Sequence, residues 1–240
     1  MRKIIPGNMI SDPIQQEDKN MKKNLTEVVF ILDRSGSMSG LESDTIGGFN
    51  SMITKQKKEE GEAYITTVLF DDKIETLHDR IEIGKVEPMN DSQYFTRGCT
   101  ALLDAIGRTV NHISDIHKYA REEDRPEKTI FIITTDGLEN ASREFSYDKI
   151  KKLLTKKQEK DGWEFLFLGA NIDAIEVAGK MGISRDDACD YVCDEAGTAL
   201  NFDVMSNVIG SVRRATSRKE AKMAKMACCE AIRDDYANRG

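Results

Sequence analysis

Two stretches of this chain, Val28-Val29-Phe30-Ile31-Leu32 and Thr129-Ile130-Phe131-Ile132-Ile133, are apolar at nearly every step, and each runs into an aspartate, Asp33 directly and Asp136 after two threonines. A strand that alternates apolar and polar residues hides one face only. A strand apolar throughout must be covered on both, which is the pattern of a parallel sheet sandwiched between helices. Residues 163–168 give a further strand of this kind, ending at Gly169.

Between the strands lie segments of helical spacing. Residues 41–60 form a polar helix after Gly36 and Gly40. Thr100 opens a helix with Leu102, Leu103, Ile106, Val110 and Ile113 on one face. Residues 147–160 form a Lys-rich helix and 172–181 a short one. Residues 63–70 and 74–78, joined by Asp71-Asp72-Lys73, read as a hairpin, and 189–193 as a last short strand. With right-handed crossovers, the alternation specifies an α/β chain: a doubly wound, Rossmann-like, mostly parallel sheet with one antiparallel edge strand and helices on both faces.

Residues 1–23, with Pro6, Gly7 and Pro13 and no periodicity, read as a loosely packed tail, and 24–214 as one domain. From Thr198 the pattern is helical to the end. A burial stripe of Phe202, Met205, Val208, Ile209 and Val212 gives way to Arg213, Arg214, Arg218, Lys219, Lys222 and Lys225. Residues 215–240 therefore read as a basic helical extension with a solvated charged face.

Across 240 residues the formal net charge is -7, which disfavours a nucleic-acid binder, since phosphates are neutralised by clustered Lys and Arg. The five cysteines, Cys99, Cys189, Cys193, Cys228 and Cys229, lack the spacing of a zinc cluster or a disulfide framework and read as reduced thiols. No stretch suits a membrane span or a signal peptide, so the expected location is the cytoplasm.

Three features fall at strand-to-helix junctions: Asp33-Arg34-Ser35-Gly36-Ser37, Gly98-Cys99-Thr100 and Asp136-Gly137. In an open parallel sheet, such junctions gather at the carboxyl edge, where ligands bind. Singly, each residue has a plainer role, such as N-cap, loop hydrogen-bonder or turn. Together, Asp33, Ser35, Ser37, Thr100 and Asp136 form an all-oxygen donor set, which selects a hard cation: Mg²⁺, with Mn²⁺ as an alternative. Two carboxylates only about neutralise such an ion, leaving it electrophilic enough to accept a further carboxylate from outside. Cys99 also brings a thiol next to Thr100 in sequence. Asp71-Asp72 read as a hairpin turn, the three histidines lack zinc-helix spacing, and Trp163, Phe165 and Phe167 read as one packed face.

In this order and context, the motifs resemble those of the von Willebrand factor type A domain, whose metal-ion-dependent adhesion site is written D-x-S-x-S with a distant Thr and a distant Asp. Asp33, Ser35 and Ser37 match the first motif, Thr100 the second and Asp136 the third, within a resemblance spanning roughly 26–214. The chain departs from many relatives in carrying Cys99 where they have Gly. The resemblance implies a non-enzymatic protein–protein binding module of the intracellular bacterial type. It would take an Asp or Glu of a protein partner at its cation and work as an adaptor in larger assemblies, with no nucleic acid or membrane involved. It also implies a final helix able to shift with the site, so that deleting residues after Arg214 would alter partner affinity more than metal affinity. The competing expectation is a Mg²⁺-dependent hydrolase or phosphotransferase on a similar sheet. Ser35 stands where a second carboxylate would suggest phosphoaspartate chemistry, and no phosphate-binding glycine loop is present.

Overall fold

A computed structural model describes residues 22–240. The expected tail lies outside these residues except for Lys22 and Lys23, which already belong to the first strand. Six strands and six α-helices are formed: β1 (Lys22–Asp33), α1 (Glu42–Gln56), β2 (Glu62–Phe70), β3 (Ile74–Glu82), α2 (Leu102–Tyr119), β4 (Pro126–Thr135), α3 (Tyr147–Lys156), β5 (Glu164–Gly169), α4 (Ala174–Lys180), β6 (Ala188–Asp190), α5 (Glu195–Arg214) and α6 (Arg218–Arg239). The strands form one sheet in the order β3-β2-β1-β4-β5-β6. Among the described residues, only the β2–β3 pair is antiparallel. The expected architecture is thus observed.

Because side chains alternate across a strand, the apolar run of β1 feeds two cores. Val28, Phe30 and Leu32 pack with Phe49 and Met52 of α1, Phe202, Met205 and Val208 of α5, and Cys229 and Ile232 of α6. Val29 and Ile31 pack on the opposite face with Leu102, Ile106, Val110 and Ile113 of α2, Ile150 and Leu154 of α3, and Val177 of α4. Trp163, Phe165 and Phe167 all lie in this second core, as their alternation predicts.

Three features differ from the sequence reading, the smallest being that the last strand ends at Asp190, not 193. Thr100 does not open α2, which begins at Leu102 with Ala101 before it. The C-terminal segment is not one helix running off the domain. Ala215 turns the chain after α5. Ser217 then starts α6 by accepting from the Glu220 N–H, while the Glu220 carboxylate accepts from Thr216 N–H at 2.7 Å. This reciprocal cap satisfies donors that an uncapped helix would leave open. Helix α6 folds back onto the sheet, and Lys225, expected on a solvated face, is fully buried. Its Nζ pairs with Glu164 at 2.5 Å and Asp187 at 3.0 Å. An ammonium is driven inward here because two carboxylates at the β5 and β6 starts meet it.

At the antiparallel edge, the β2–β3 register shifts around Thr67, and Arg80 takes a left-handed backbone conformation with φ 50°. That irregularity re-aims the Arg80 side chain across Tyr64 to the buried Glu27 carboxylate, whose oxygens accept from Nε at 2.8 and 3.1 Å.

Candidate metal centre

Strands β1 and β4 are hydrogen-bonded neighbours at the centre of the sheet, so their last residues bring Asp33 and Asp136 together although 103 positions separate them. One Asp33 carboxylate oxygen accepts from the Ser35 N–H at 2.6 Å. The other accepts from the Thr135 hydroxyl at 2.6 Å and from the Asp136 N–H at 3.4 Å. Ser35, just before the tight turn Gly36–Met38, and Ser37 within it bring their hydroxyl oxygens to 3.0 Å of each other.

Thr100 arrives from the loop before α2. A β-carbon on Gly137 would stand 3.3 Å from the Ser37 hydroxyl oxygen and 3.4 Å from that of Thr100, so the bare glycine marks a small space walled by both. Asp33, Ser35, Ser37, Thr100 and Asp136 therefore share one corner of the carboxyl edge. All are buried except Ser37, which is exposed.

The loop after β4 clamps Thr100. Asn140 accepts from the Thr100 N–H at 2.9 Å and returns its own N–H to the Thr100 carbonyl at 3.1 Å. Glu139 accepts from the Leu103 N–H, one of the open donors at the start of α2, and Asp104 accepts from the N–H groups of Arg143, Glu144 and Phe145 at 2.8–3.0 Å.

Charge is the decisive property of this corner. Among the described residues, neither Asp33 nor Asp136 forms an ion pair. The adjacent cation, Arg34, instead pairs through Nε with Asp71 at 2.9 Å, which also takes Arg97 at 2.9 Å. Asp71, read in sequence as a plain turn residue, is thus the buried acceptor of two arginines. Burial pushes the Asp33 carboxyl above its ordinary value, against hydrogen bonds from Thr135 and Ser35 that lower it. Burial likewise raises Asp136, against Cys193 and Asn171. Two buried carboxylates served by neutral donors alone, next to three hydroxyl oxygens, make a donor set suited to a hard divalent cation. Among the described residues, no three His, Cys, Asp or Glu side chains gather to share an ion, so hydroxyls are indispensable to such a site.

Sequence reasoning missed four residues at the corner. Thr135 holds Asp33. The Tyr94 hydroxyl donates to the Asp33 carbonyl at 2.6 Å. On Asp136, the side-chain amide of Asn171 meets one oxygen and the Cys193 thiol meets the other at 3.2 Å. Asn171 adopts φ 54°, a conformation Asn tolerates better than most residues. The thiol at the site is Cys193, not Cys99, whose side chain is exposed. Burial and the neighbouring Asp136 push the Cys193 thiol up to about 12.

No protein-family model and no curated protein matches the chain. Solved structures do. Proximal thread matrix protein 1 of the mussel byssus superposes with a TM-score of 0.52 at 15% identity, over 78% of this chain and 46% of its own. A von Willebrand factor type A protein from Catenulispora acidiphila gives 0.51 at 14% identity, over 80% and 43%. The vWF domain of the type V pili tip protein Mfa5 from Porphyromonas gingivalis gives 0.54 at 12% identity, over 80% and 97%. The chain spans just under half the length of the first two. The sheet order, the single antiparallel edge and these superpositions together show that the chain has the fold of a von Willebrand factor type A domain.

Proposed function

We propose that this chain is a divalent-cation-dependent protein–protein interaction module. Ser35, Ser37 and Thr100 would hold the ion through hydroxyl oxygens, while Asp33 and Asp136 supply its negative charge. The observation that carries this reading is the pair of buried carboxylates that, among the described residues, have no cationic partner and lie at the same carboxyl-edge corner as those hydroxyls. A bound ion supplies an electrophilic centre for the carboxylate of an Asp or Glu on another protein. The exposure of Ser37 supports an approach of that carboxylate from its side. Matrix and pilus-tip proteins among the similar structures support a binding role. Mg²⁺ is the proposed ion, with Mn²⁺ able to replace it. The proposal places the chain in the cytoplasm as an adaptor, where its unpaired thiols stay reduced.

Calorimetric titration of Mg²⁺ and Mn²⁺ into chelator-treated protein tests the site. One ion per chain is expected in the parent, and none in folded Asp33→Ala or Thr100→Ala variants. Partner capture should then need the ion and be lost in chelator. Undiminished binding by Asp33→Ala would overturn the assignment. Hydrolysis of phosphoesters abolished by Asp33→Ala would replace a binding module with an enzyme.

A further inference from the structure

We infer that Cys193 is a sulfur ligand in reserve at this centre, giving it a second mode in which a thiophilic divalent ion such as Zn²⁺ or Cd²⁺ is held jointly by Asp136 and Cys193. The inference rests on the cation reading above and adds a donor of a different chemical class.

The geometry begins with the loop that joins β6 to α5. Tyr191 is fixed to β5 by its N–H, which donates to the Gly169 carbonyl at 2.9 Å. Asp194 caps α5 by accepting from the Gly197 N–H at 2.7 Å. Between these anchors Cys193 has little freedom, and its Sγ lies 3.2 Å from Asp136 Oδ2. Metal–oxygen bonds of about 2.1 Å and metal–sulfur bonds of about 2.3 Å put two ligands of one ion about 3.1 Å apart at right angles and about 3.6 Å apart at the tetrahedral angle zinc prefers. The separation that serves the thiol–carboxylate hydrogen bond therefore falls within about 0.4 Å of what two ligands on one such ion need, a shift a side-chain rotation supplies. Cys193 is half-buried and faces the carboxylate.

Ion type selects the mode. A hard ion gains little from sulfur, so with Mg²⁺ the Cys193 proton stays on the thiol and the thiol stays on Asp136. A thiophilic ion forms a metal–sulfur bond as the sulfur–hydrogen bond breaks, and the proton passes to solvent. No electron moves, so no oxidant is required. Binding in this mode releases one proton per ion and fills a ligand position with protein.

The test uses the full chain, reduced and chelator-treated, titrated with Cd²⁺ while the ultraviolet charge-transfer absorption of the cadmium–thiolate bond is followed. The band should grow to one ion per chain in the parent and in Cys99→Ser. It should vanish in Cys193→Ser, whose Cd²⁺ affinity should fall about 10- to 100-fold, a larger factor than any loss of Mg²⁺ affinity that calorimetry shows. A band that persists in Cys193→Ser, or that disappears only in Cys99→Ser, overturns the inference. Mg²⁺ binding without any cadmium–thiolate band also overturns it and leaves the hard-ion reading standing. Failure of every ion to bind at an Asp33-dependent site overturns both.

Discussion

At the scale of single residues, the candidate centre stores unfavourable charge that only a cation or a proton can relieve. Because burial raises the carboxyls of Asp33 and Asp136 in the folded state, the ion-free fold binds protons more tightly than the unfolded chain. These groups therefore favour the fold at low pH. That contribution is lost as pH rises from their ordinary value of 3.8 through the raised one. Asp33→Asn should accordingly raise the melting temperature of the chelator-treated protein at neutral pH while abolishing ion binding, and thermal melts with and without Mg²⁺ check both halves. Gly137→Val probes the space beside Ser37 and Thr100. Its β-carbon alone would stand 3.3–3.4 Å from the two hydroxyl oxygens, so calorimetry should show cation affinity reduced by at least about tenfold, with circular dichroism checking that the variant keeps the fold. The five motif residues were legible in the sequence because strand-to-helix junctions gather at one edge. Asn171 and Cys193 sit at the ends of β5 and β6 by the same logic. They went unread because neither lies in a spaced motif, and their meaning comes entirely from reaching Asp136.

At the scale of elements, Lys225 fastens α6 to the sheet through two ion pairs. Removing it leaves Glu164 and Asp187 without their cation in a largely buried place, a kind of loss that costs about 3–5 kcal/mol. Lys225→Ala should show a destabilisation of that size in urea unfolding. Hydrogen exchange should rise first in α6. The fate of this helix was only partly legible. Ser217-Arg218-Lys219-Glu220 is a capping box in plain sequence, and reading it would have split the C-terminal segment at the right place. Its basic residues pointed to solvent because a buried lysine is recognisable only once the carboxylates meeting it are known. Strands were clearer than helix ends throughout, since a continuous apolar run has few other uses, whereas the start of α2 is set by Glu139 and Ser142 from a distant loop.

For the whole molecule, the packing of α6 changes what truncation would do. The sequence suggested that residues after Arg214 could be removed with an effect mainly on partner affinity. The structure instead puts Cys229 and Ile232 in the same core as β1 and α1. Losing them together with the Lys225 cluster would cost much of the roughly 5–15 kcal/mol that holds a domain together. A chain ending at Arg214 should therefore melt at markedly lower temperature or fail to fold, as circular dichroism would show, and metal and partner binding should fall together.

The two margins of the sheet carry a last consequence. On one side, the shifted register and the left-handed Arg80 interrupt β3, so a straight incoming strand would find its hydrogen-bonding groups out of step. On the other, β6 has only three residues, and Arg233 of α6 already takes the carbonyl of Ala188 at 3.2 Å. Among the described residues, neither margin offers a long uninterrupted template for strand addition. Fibre-like stacking of copies through these margins is thereby disfavoured, which leaves loops and helix surfaces as the favoured places for contact.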